Sequence, residues 1–149
     1  MRGVNRRVLK RWIGLLLFVL VGAAVWLVGA SRGFPSTHGL VHGFYVDTMG
    51  LTVAQANDAA AVTRKGFHIP AYALVAFVAW FALPRRVRWP AACLAAVLFV
   101  AIGDEWLQSM QPSRSGKWQD VLVDLIGGVL GMFLAARLTS RREAISSTE

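Results

Sequence analysis

Residues 104–131 read DEWLQSMQPSRSGKWQDVLVDLIGGVLG, and this stretch holds four of the eight carboxylates in the chain. Asp104, Glu105, Asp120 and Asp124 all lie at or inside the ends of segments that are otherwise apolar. A carboxylate in hydrocarbon costs at least about 3 kcal/mol, so such residues usually face a bundle interior or a watery cavity. The stretch therefore predicts a membrane helix bundle with a polar site. The alternative is that these carboxylates are interfacial anchors and helix caps, which would suit Asp120 best.

Apolar residues in the rest of the chain occur in blocks rather than singly. The blocks are Trp12–Ala30, which contains no charge, Ile69–Leu83, Trp89–Gly103, and Val121–Ala136, which is broken only by Asp124. A transmembrane helix needs about 20 residues, a length that the first block reaches alone and the others reach with their polar ends. The chain of 149 residues, 56% of them hydrophobic, thus predicts an all-α membrane protein. We expect one four-transmembrane-helix domain at 12–140, with helices at about 12–31, 64–83, 90–110 and from 119 or 120 onward.

The basic residues give this bundle an orientation. The net charge is +8, and eleven of the sixteen cations fall on one side of a four-helix topology. These eleven are Arg2, Arg6, Arg7, Lys10, Arg11, Arg85, Arg86, Arg88, Arg137, Arg141 and Arg142. The positive-inside rule then predicts a multi-pass plasma-membrane protein with a basic tail at 1–11 and a polar tail at 141–149, both cytoplasmic. This distribution indicates a bilayer rather than a nucleic acid as the partner.

The loop at 32–64 is external in this topology, and it predicts one short helix. Thr52 and Gln55 have the spacing of a capping box, and the Ala-rich stretch Val53–Arg64 has no Gly or Pro. We therefore expect a short external helix there, with the second transmembrane helix beginning near Arg64. Glycines before Thr52 predict irregular structure, which argues against His38 and His42 sharing a helix face as metal ligands, so no metal site is predicted.

Topology brings the polar ends of three predicted helices to one level. Lys65, His68 and Tyr72 share a helix face, as do Asp104 and Gln108, and Asp120 and Asp124. The candidate ligand-binding residues are Lys65, His68, Tyr72, Asp104, Glu105, Gln108, Arg114, Asp120 and Asp124, of which His68, Asp104 and Glu105 are also candidate catalytic residues. A column of small residues continues the Asp120–Asp124 face at Gly127 or Gly128, Gly131 and Ala135. This column predicts close packing of the fourth helix against a neighbour.

In the order and spacing of these polar residues, the chain resembles the VanZ-like family, which is named for a teicoplanin-resistance protein. The matching residues are Lys65, His68 and Tyr72 in KGFHIPAY, Asp104, Glu105 and Gln108 in DEWLQ, Arg114, and Asp120, Asp124, Gly127 and Gly131 in DVLVDLIGGVLG. The resemblance covers about residues 60–135 and implies a small integral membrane protein of the bacterial envelope, sometimes linked to glycopeptide resistance. It implies no settled activity, and the cofactor remains unknown. The chain departs from the family in carrying Asp124 where Asn is usual.

Four interpretations of the function remain open on the sequence. The favoured one is binding of an anionic envelope lipid or cell-wall precursor at the outer leaflet, with phosphate held by Lys65, His68 and Arg114. Asp104, Glu105 and Asp120 would then position these cations and bond sugar or amine groups.

The second function is a membrane enzyme acting on a lipid-linked phosphate, with His68 or Glu105 as general base and a divalent metal on Asp104 and Asp120. No HExxH or CxxC motif supports it. The third is a proton- or ion-coupled permease, since intramembrane carboxylates relay protons. Four helices are few for a permease unless the chain forms a homo-oligomer. A purely structural partner of other envelope proteins is a fourth interpretation.

Overall fold

The computed structural model of the chain describes residues 6–30, 37–83, 90–110 and 117–146. These residues form five helices and no strand: α1 (Arg6–Ala30), α2 (Thr37–Asp47), α3 (Val53–Ala82), α4 (Pro90–Ser109) and α5 (Trp118–Ser146). Four of them, α1, α3, α4 and α5, contain segments long and apolar enough to cross a membrane. The prediction of an all-α membrane protein with four long helices and a short helix in the first loop is confirmed.

Helix α3 lies at the centre of the bundle, since it contacts each of the other four helices. Its most extensive interface is with α5, and the two helices run parallel. Gly127 packs against the backbone of Ile69, and Gly131 packs against that of Ala73 four residues further along both helices. A Cβ atom at Gly131 would overlap the Ala73 carbonyl oxygen, so only glycine allows this approach. The predicted small-residue face is confirmed.

Helix α1 runs antiparallel to α3 and parallel to α4. Gly14, near the start of α1, lies against Ala82 at the end of α3. At the other end of α1, the indole nitrogen of Trp26 donates a 2.9 Å hydrogen bond to the carbonyl oxygen of Val100. The Trp26 ring also covers Gly103, where a Cβ atom would come within 2.5 Å of the ring. The four long helices therefore alternate in direction along the chain, as a membrane bundle with short connections requires.

The core of the bundle is small and apolar, and most large apolar side chains lie on its outside. The buried cluster consists of Tyr72, Val75, Ala76, Val97, Val100 and Ala101. By contrast, Trp12, Leu27 and Phe99 are each more than 60% exposed. A soluble monomer rarely exposes apolar surface this extensively, so the outer faces of the helices fit contact with lipid.

The short helix of the first loop lies earlier than predicted. It was expected at 53–64, but α2 spans Thr37–Asp47 and contains Gly39 and Gly43. The expectation that glycines exclude a helix here was wrong, because Leu40, Val41, Phe44 and Tyr45 recur with a helical spacing. His38 and His42 thus belong to one helix. Tyr45 anchors α2 to α3 through a 2.8 Å hydrogen bond between its hydroxyl and Oγ1 of Thr63.

The predicted helix at 53–64 is instead the first part of α3. Thr52 caps it as predicted, with a complete capping box to Gln55, but the helix continues through Arg64 without a break. Its 30 residues measure about 45 Å, which exceeds the roughly 30 Å of hydrocarbon. Pro70 consequently lies inside α3 rather than in its first turns, and the backbone bond it would donate to Gly66 is missing.

The outer helices also extend past the predicted limits. Helix α1 begins at Arg6 instead of about residue 12, and α5 ends at Ser146 instead of about residue 140. Arg and Lys are good helix formers, so basic residues continue a membrane helix beyond the apolar block. Much of each predicted tail is therefore helical, whereas residues 1–5 and 147–149 lie outside the described part of the chain.

Candidate ligand-binding site

The site begins with an ion pair between α3 and α5. The Lys65 ammonium lies 2.6 Å from Oδ1 of Asp120, with side-chain exposures of 42% and 14%. With Ile69 packed against Gly127, the parallel register places Lys65 level with Val123, and the long lysine side chain reaches about one turn back along α5 to Asp120. The glycine contacts thus fix the register that brings the two charges together. Lys65 remains the more exposed partner and forms the rim of the site.

One turn deeper, His68 meets Asp124. Its Nδ1 lies 2.8 Å from Oδ1 of Asp124, and the Asp124 side chain is fully buried. The imidazole also stacks on the ring of Tyr72, with ring centroids 6.0 Å apart and an angle of 19° between the ring planes. These contacts fix the orientation of the imidazole and leave Nε2 as its second polar atom.

Tyr72 links this pair to α4. Its hydroxyl donates a 3.3 Å hydrogen bond to Oδ2 of Asp104, and it also lies near Asp124. Both Tyr72 and Asp104 are nearly inaccessible, at 1% and 2% exposure. Gln108, one turn further along α4, lies close to Asp104. A buried phenol, two carboxylates and an amide thus form one polar network inside an apolar bundle.

Glu105 connects α4 to the start of α5. Its Oε2 accepts a 2.6 Å hydrogen bond from the backbone nitrogen of Lys117, immediately before α5 begins at Trp118. Sequence reasoning missed Lys117, whose contribution is made by its backbone. The signal was nevertheless present, since the first N–H groups of a helix lack intrahelical acceptors and a carboxylate from the preceding helix is a suitable partner.

The structure brings eight of the nine predicted site residues together at one end of the bundle. These are Lys65, His68, Tyr72, Asp104, Glu105, Gln108, Asp120 and Asp124. The ninth, Arg114, lies outside the described residues. Within the described part of the chain, no group of three or more His, Cys, Asp or Glu side chains is placed to hold a metal ion.

Charge is unevenly distributed over this polar cluster. Among its described side chains, four carboxylates face one lysine and one histidine. Four carboxylate oxygens of the described residues are inaccessible and have no hydrogen-bond partner: Oδ1 of Asp104, Oε1 of Glu105, Oδ2 of Asp124 and Oδ1 of Asp120, which has only its ion-pair contact with Lys65. Buried carboxylate oxygens are normally hydrogen-bonded, so the site has accepting capacity to spare. In chemical terms, the rim can contact an anion and the interior can accept hydrogen bonds.

Four long apolar helices enclosing a buried polar cluster define a multi-pass membrane protein. The family model described as VanZ/LLP1 matches residues 17–139. Because this match covers most of the 149 residues, the chain belongs to the VanZ/LLP1 family. The matched range extends beyond residues 60–135, where the sequence resemblance was found, and includes more than half of α1. No curated protein and no solved structure matches the chain significantly.

Proposed function

We propose that this protein binds the headgroup of an anionic envelope lipid or a lipid-linked cell-wall precursor at the outer leaflet of the plasma membrane, with both termini in the cytoplasm. The observation that carries the proposal is the position of Lys65. Its side chain is 42% exposed and pairs with Asp120, which is 14% exposed, whereas Asp104, Glu105 and Asp124 are at most 8% exposed. An ammonium at a membrane interface beside a buried polar cluster is suited to a phosphate group.

The ion pair supports this role, because Asp120 holds the Lys65 ammonium in place without covering it. An ammonium has three donors, and the one carboxylate oxygen that lies 2.6 Å from it can occupy at most one of them. Two donors thus remain for phosphate oxygens. The lipid chains of the ligand would lie against the exposed apolar faces of the bundle, so the headgroup alone needs to enter.

The interior of the bundle favours binding over permeation. Beyond the polar cluster lie Val75, Ala76, Val97 and Ala101, which are apolar and fully buried. The next polar contact across α3 and α5 is the hydrogen bond from Trp80 to Thr139, two turns past Tyr72. Within the described residues the polar groups therefore lie at one end of the bundle, whereas a permease needs a polar path through it.

An enzyme is the second candidate, and the His68–Asp124 contact favours it. A carboxylate on Nδ1 holds an imidazole in the tautomer whose Nε2 can take a proton from water. A membrane phosphohydrolase could use this pair to activate water against a lipid phosphate, with Glu105 or Asp104 nearby. Turnover of a lipid phosphate by the purified protein, abolished in His68→Ala, would establish the enzyme in place of the binding protein.

Native mass spectrometry of the full chain in mild detergent tests the binding proposal. The probe is phosphatidylglycerol, with Lys65→Ala as the variant and Lys10→Ala as its control. Lys10 is an exposed cation on α1, whose first turns pack near the end of α3 that is remote from Lys65. We expect Lys65→Ala to reduce lipid retention about tenfold and Lys10→Ala to leave it unchanged. Equal retention by both variants, or no retention by the wild type, would refute the proposal.

A role in glycopeptide resistance belongs to the same proposal, because a protein that holds a cell-wall precursor changes its exposure at the cell surface. The test is the minimal inhibitory concentration of teicoplanin in cells expressing the wild type or Lys65→Ala at equal membrane levels. A higher concentration with the wild type only is the expected result. The same value in both strains would separate lipid binding from resistance.

A further inference from the structure

Among the described residues, the deeper part of the polar cluster has more hydrogen-bond acceptors than donors. Lys65 pairs with Asp120 at the rim, and His68 pairs with Asp124 one turn deeper. Within the described part of the chain, Asp104 and Glu105, adjacent on α4, accept no hydrogen bond from a cationic side chain. Their donors are the Tyr72 hydroxyl at 3.3 Å and the Lys117 backbone nitrogen at 2.6 Å. These two neighbouring carboxylates therefore accept their hydrogen bonds from neutral donors.

Each of these carboxylates also keeps one oxygen without a partner. Oδ1 of Asp104 and Oε1 of Glu105 are inaccessible atoms with no hydrogen bond, on side chains that are 2% and 8% exposed. Gln108 lies near Asp104 but leaves its Oδ1 unsatisfied. An unsatisfied carboxylate oxygen in a bundle interior is unfavourable, so a complementary group that donates hydrogen bonds would be stabilised there.

We propose that Asp104 and Glu105 bind a primary ammonium group of the ligand. An ammonium offers three N–H donors and a positive charge, which match two unsatisfied carboxylate oxygens and leave one donor for a neutral acceptor. A metal ion fits less well, since it needs several ligands around one point and the described residues provide no such group. A second phosphate would be repelled by the surrounding carboxylates.

Together, the phosphate contact at Lys65 and the ammonium site at Asp104 and Glu105 define a class of ligand. The inference rests on the proposed function for the phosphate contact at Lys65 and adds the ammonium below it. Glu105 bonds the backbone of Lys117, three residues before the Asp120 that pairs with Lys65, so Glu105 approaches the rim from α4. Asp104 lies deeper, since it bonds Tyr72 two turns past Lys65. A phosphate at Lys65 and an ammonium below it fit one headgroup in which a short link joins the two groups. The ligand then carries a primary ammonium group beside its phosphate, on either a lipid headgroup or a soluble phosphoamine.

Competition between lipids with identical acyl chains tests the proposal on the wild-type protein. The probes are phosphatidylethanolamine, its N-trimethylated analogue phosphatidylcholine, and phosphatidylglycerol, added together at equal concentration before native mass spectrometry. Trimethylation keeps the positive charge and removes every N–H donor. We expect phosphatidylethanolamine to be retained at least tenfold over phosphatidylcholine. Equal retention of these two lipids, or a preference for phosphatidylglycerol, would overturn the ammonium site while leaving lipid binding intact.

Two variants locate the effect within the protein. Glu105→Gln and Asp104→Asn keep the shape of each side chain and should abolish the preference for phosphatidylethanolamine without abolishing retention of phosphatidylglycerol. Asp58→Asn is the matched control, because Asp58 is an exposed carboxylate on α3. Helicity by circular dichroism confirms folding of each variant. An unchanged preference in both folded α4 variants would also overturn the assignment.

A soluble probe distinguishes the two sources of the ligand. Phosphoethanolamine, titrated into the delipidated protein by calorimetry, would bind if the phosphate–ammonium pair alone is recognised. If no lipid is retained but phosphoethanolamine binds, the lipid-binding function fails and the ammonium site stands. If neither lipid nor phosphoethanolamine binds, both the proposed function and the ammonium site are wrong.

Discussion

The imidazole of His68 on α3 is joined to the fully buried carboxylate of Asp124 on α5 by a 2.8 Å contact between Nδ1 and Oδ1. This contact predicts that Asp124→Asn is tolerated, because the amide oxygen can still accept a hydrogen bond from Nδ1–H of a neutral histidine. We expect lipid retention within about twofold of wild type. Asp124→Ala should instead cost about 1–3 kcal/mol, since it leaves Nδ1 unsatisfied. Thermal unfolding in detergent measures this difference.

The same substitution separates lipid binding from proton chemistry. A general base oriented by a carboxylate, or a proton relay, requires the charge at position 124 and would be disabled by an amide. Loss of function in Asp124→Asn with unchanged thermal stability would therefore contradict the binding proposal and favour the enzyme or the permease.

The two tyrosines of the chain form a matched pair for the second prediction. Tyr72 donates to the buried Asp104, whereas Tyr45 bonds Thr63 in a partly exposed contact. Tyr72→Phe should destabilise the protein by about 1–2 kcal/mol, because a buried carboxylate oxygen loses its donor. Tyr45→Phe should cost less than about 1 kcal/mol, because water can replace the lost partner. Equal shifts in melting temperature would show that the Tyr72–Asp104 bond contributes little.

Glycine positions on α3 and α5 give the third prediction. Gly131→Ala places a methyl group against the Ala73 carbonyl and should destabilise the bundle by at least about 1–3 kcal/mol through overpacking. Gly66→Ala is the control, because no heavy atom lies within 4 Å of the point that a Cβ atom would occupy there, and alanine favours the helix. Melting temperatures in detergent should fall for the first variant and stay level or rise for the second. A similar response of both would contradict the close α3–α5 approach.

Membrane orientation is the fourth prediction, and it rests on the distribution of basic residues. In a Cys93→Ala background, Ser36→Cys should react with an impermeant thiol reagent in intact cells, and Ser147→Cys should react only after the membrane is opened. Both positions lie outside the described residues, so accessibility depends on the side of the membrane predicted by the positive-inside rule. Labelling of Ser147→Cys from outside would reverse the topology and place the polar cluster at the inner leaflet.

Sequence patterns that depend on neighbouring residues predicted much of this protein. Uninterrupted apolar blocks predicted four membrane segments, since the hydrocarbon thickness sets the length of a crossing helix. The capping box at Thr52 and the small-residue face of Gly127 and Gly131 were also readable, because each is a fixed spacing along one helix. The prediction of two separate helices that meet near Arg64 was wrong, since the continuation of a helix depends on what packs beside it. Helix α2 was missed because its glycines outweighed its apolar spacing.

Periodicity and alternating topology determined that the polar residues would meet at one end of the bundle. Which atoms meet was decided by the tertiary structure alone. The pairing of Lys65 with Asp120 and of His68 with Asp124 depends on the register between α3 and α5, which the glycine contacts set. The contact of Glu105 with the Lys117 backbone depends on how α4 and α5 meet at their connection. The sequence along a helix specifies which face a side chain occupies, but the partner opposite is fixed by the packing of separate helices, whose register no local pattern encodes.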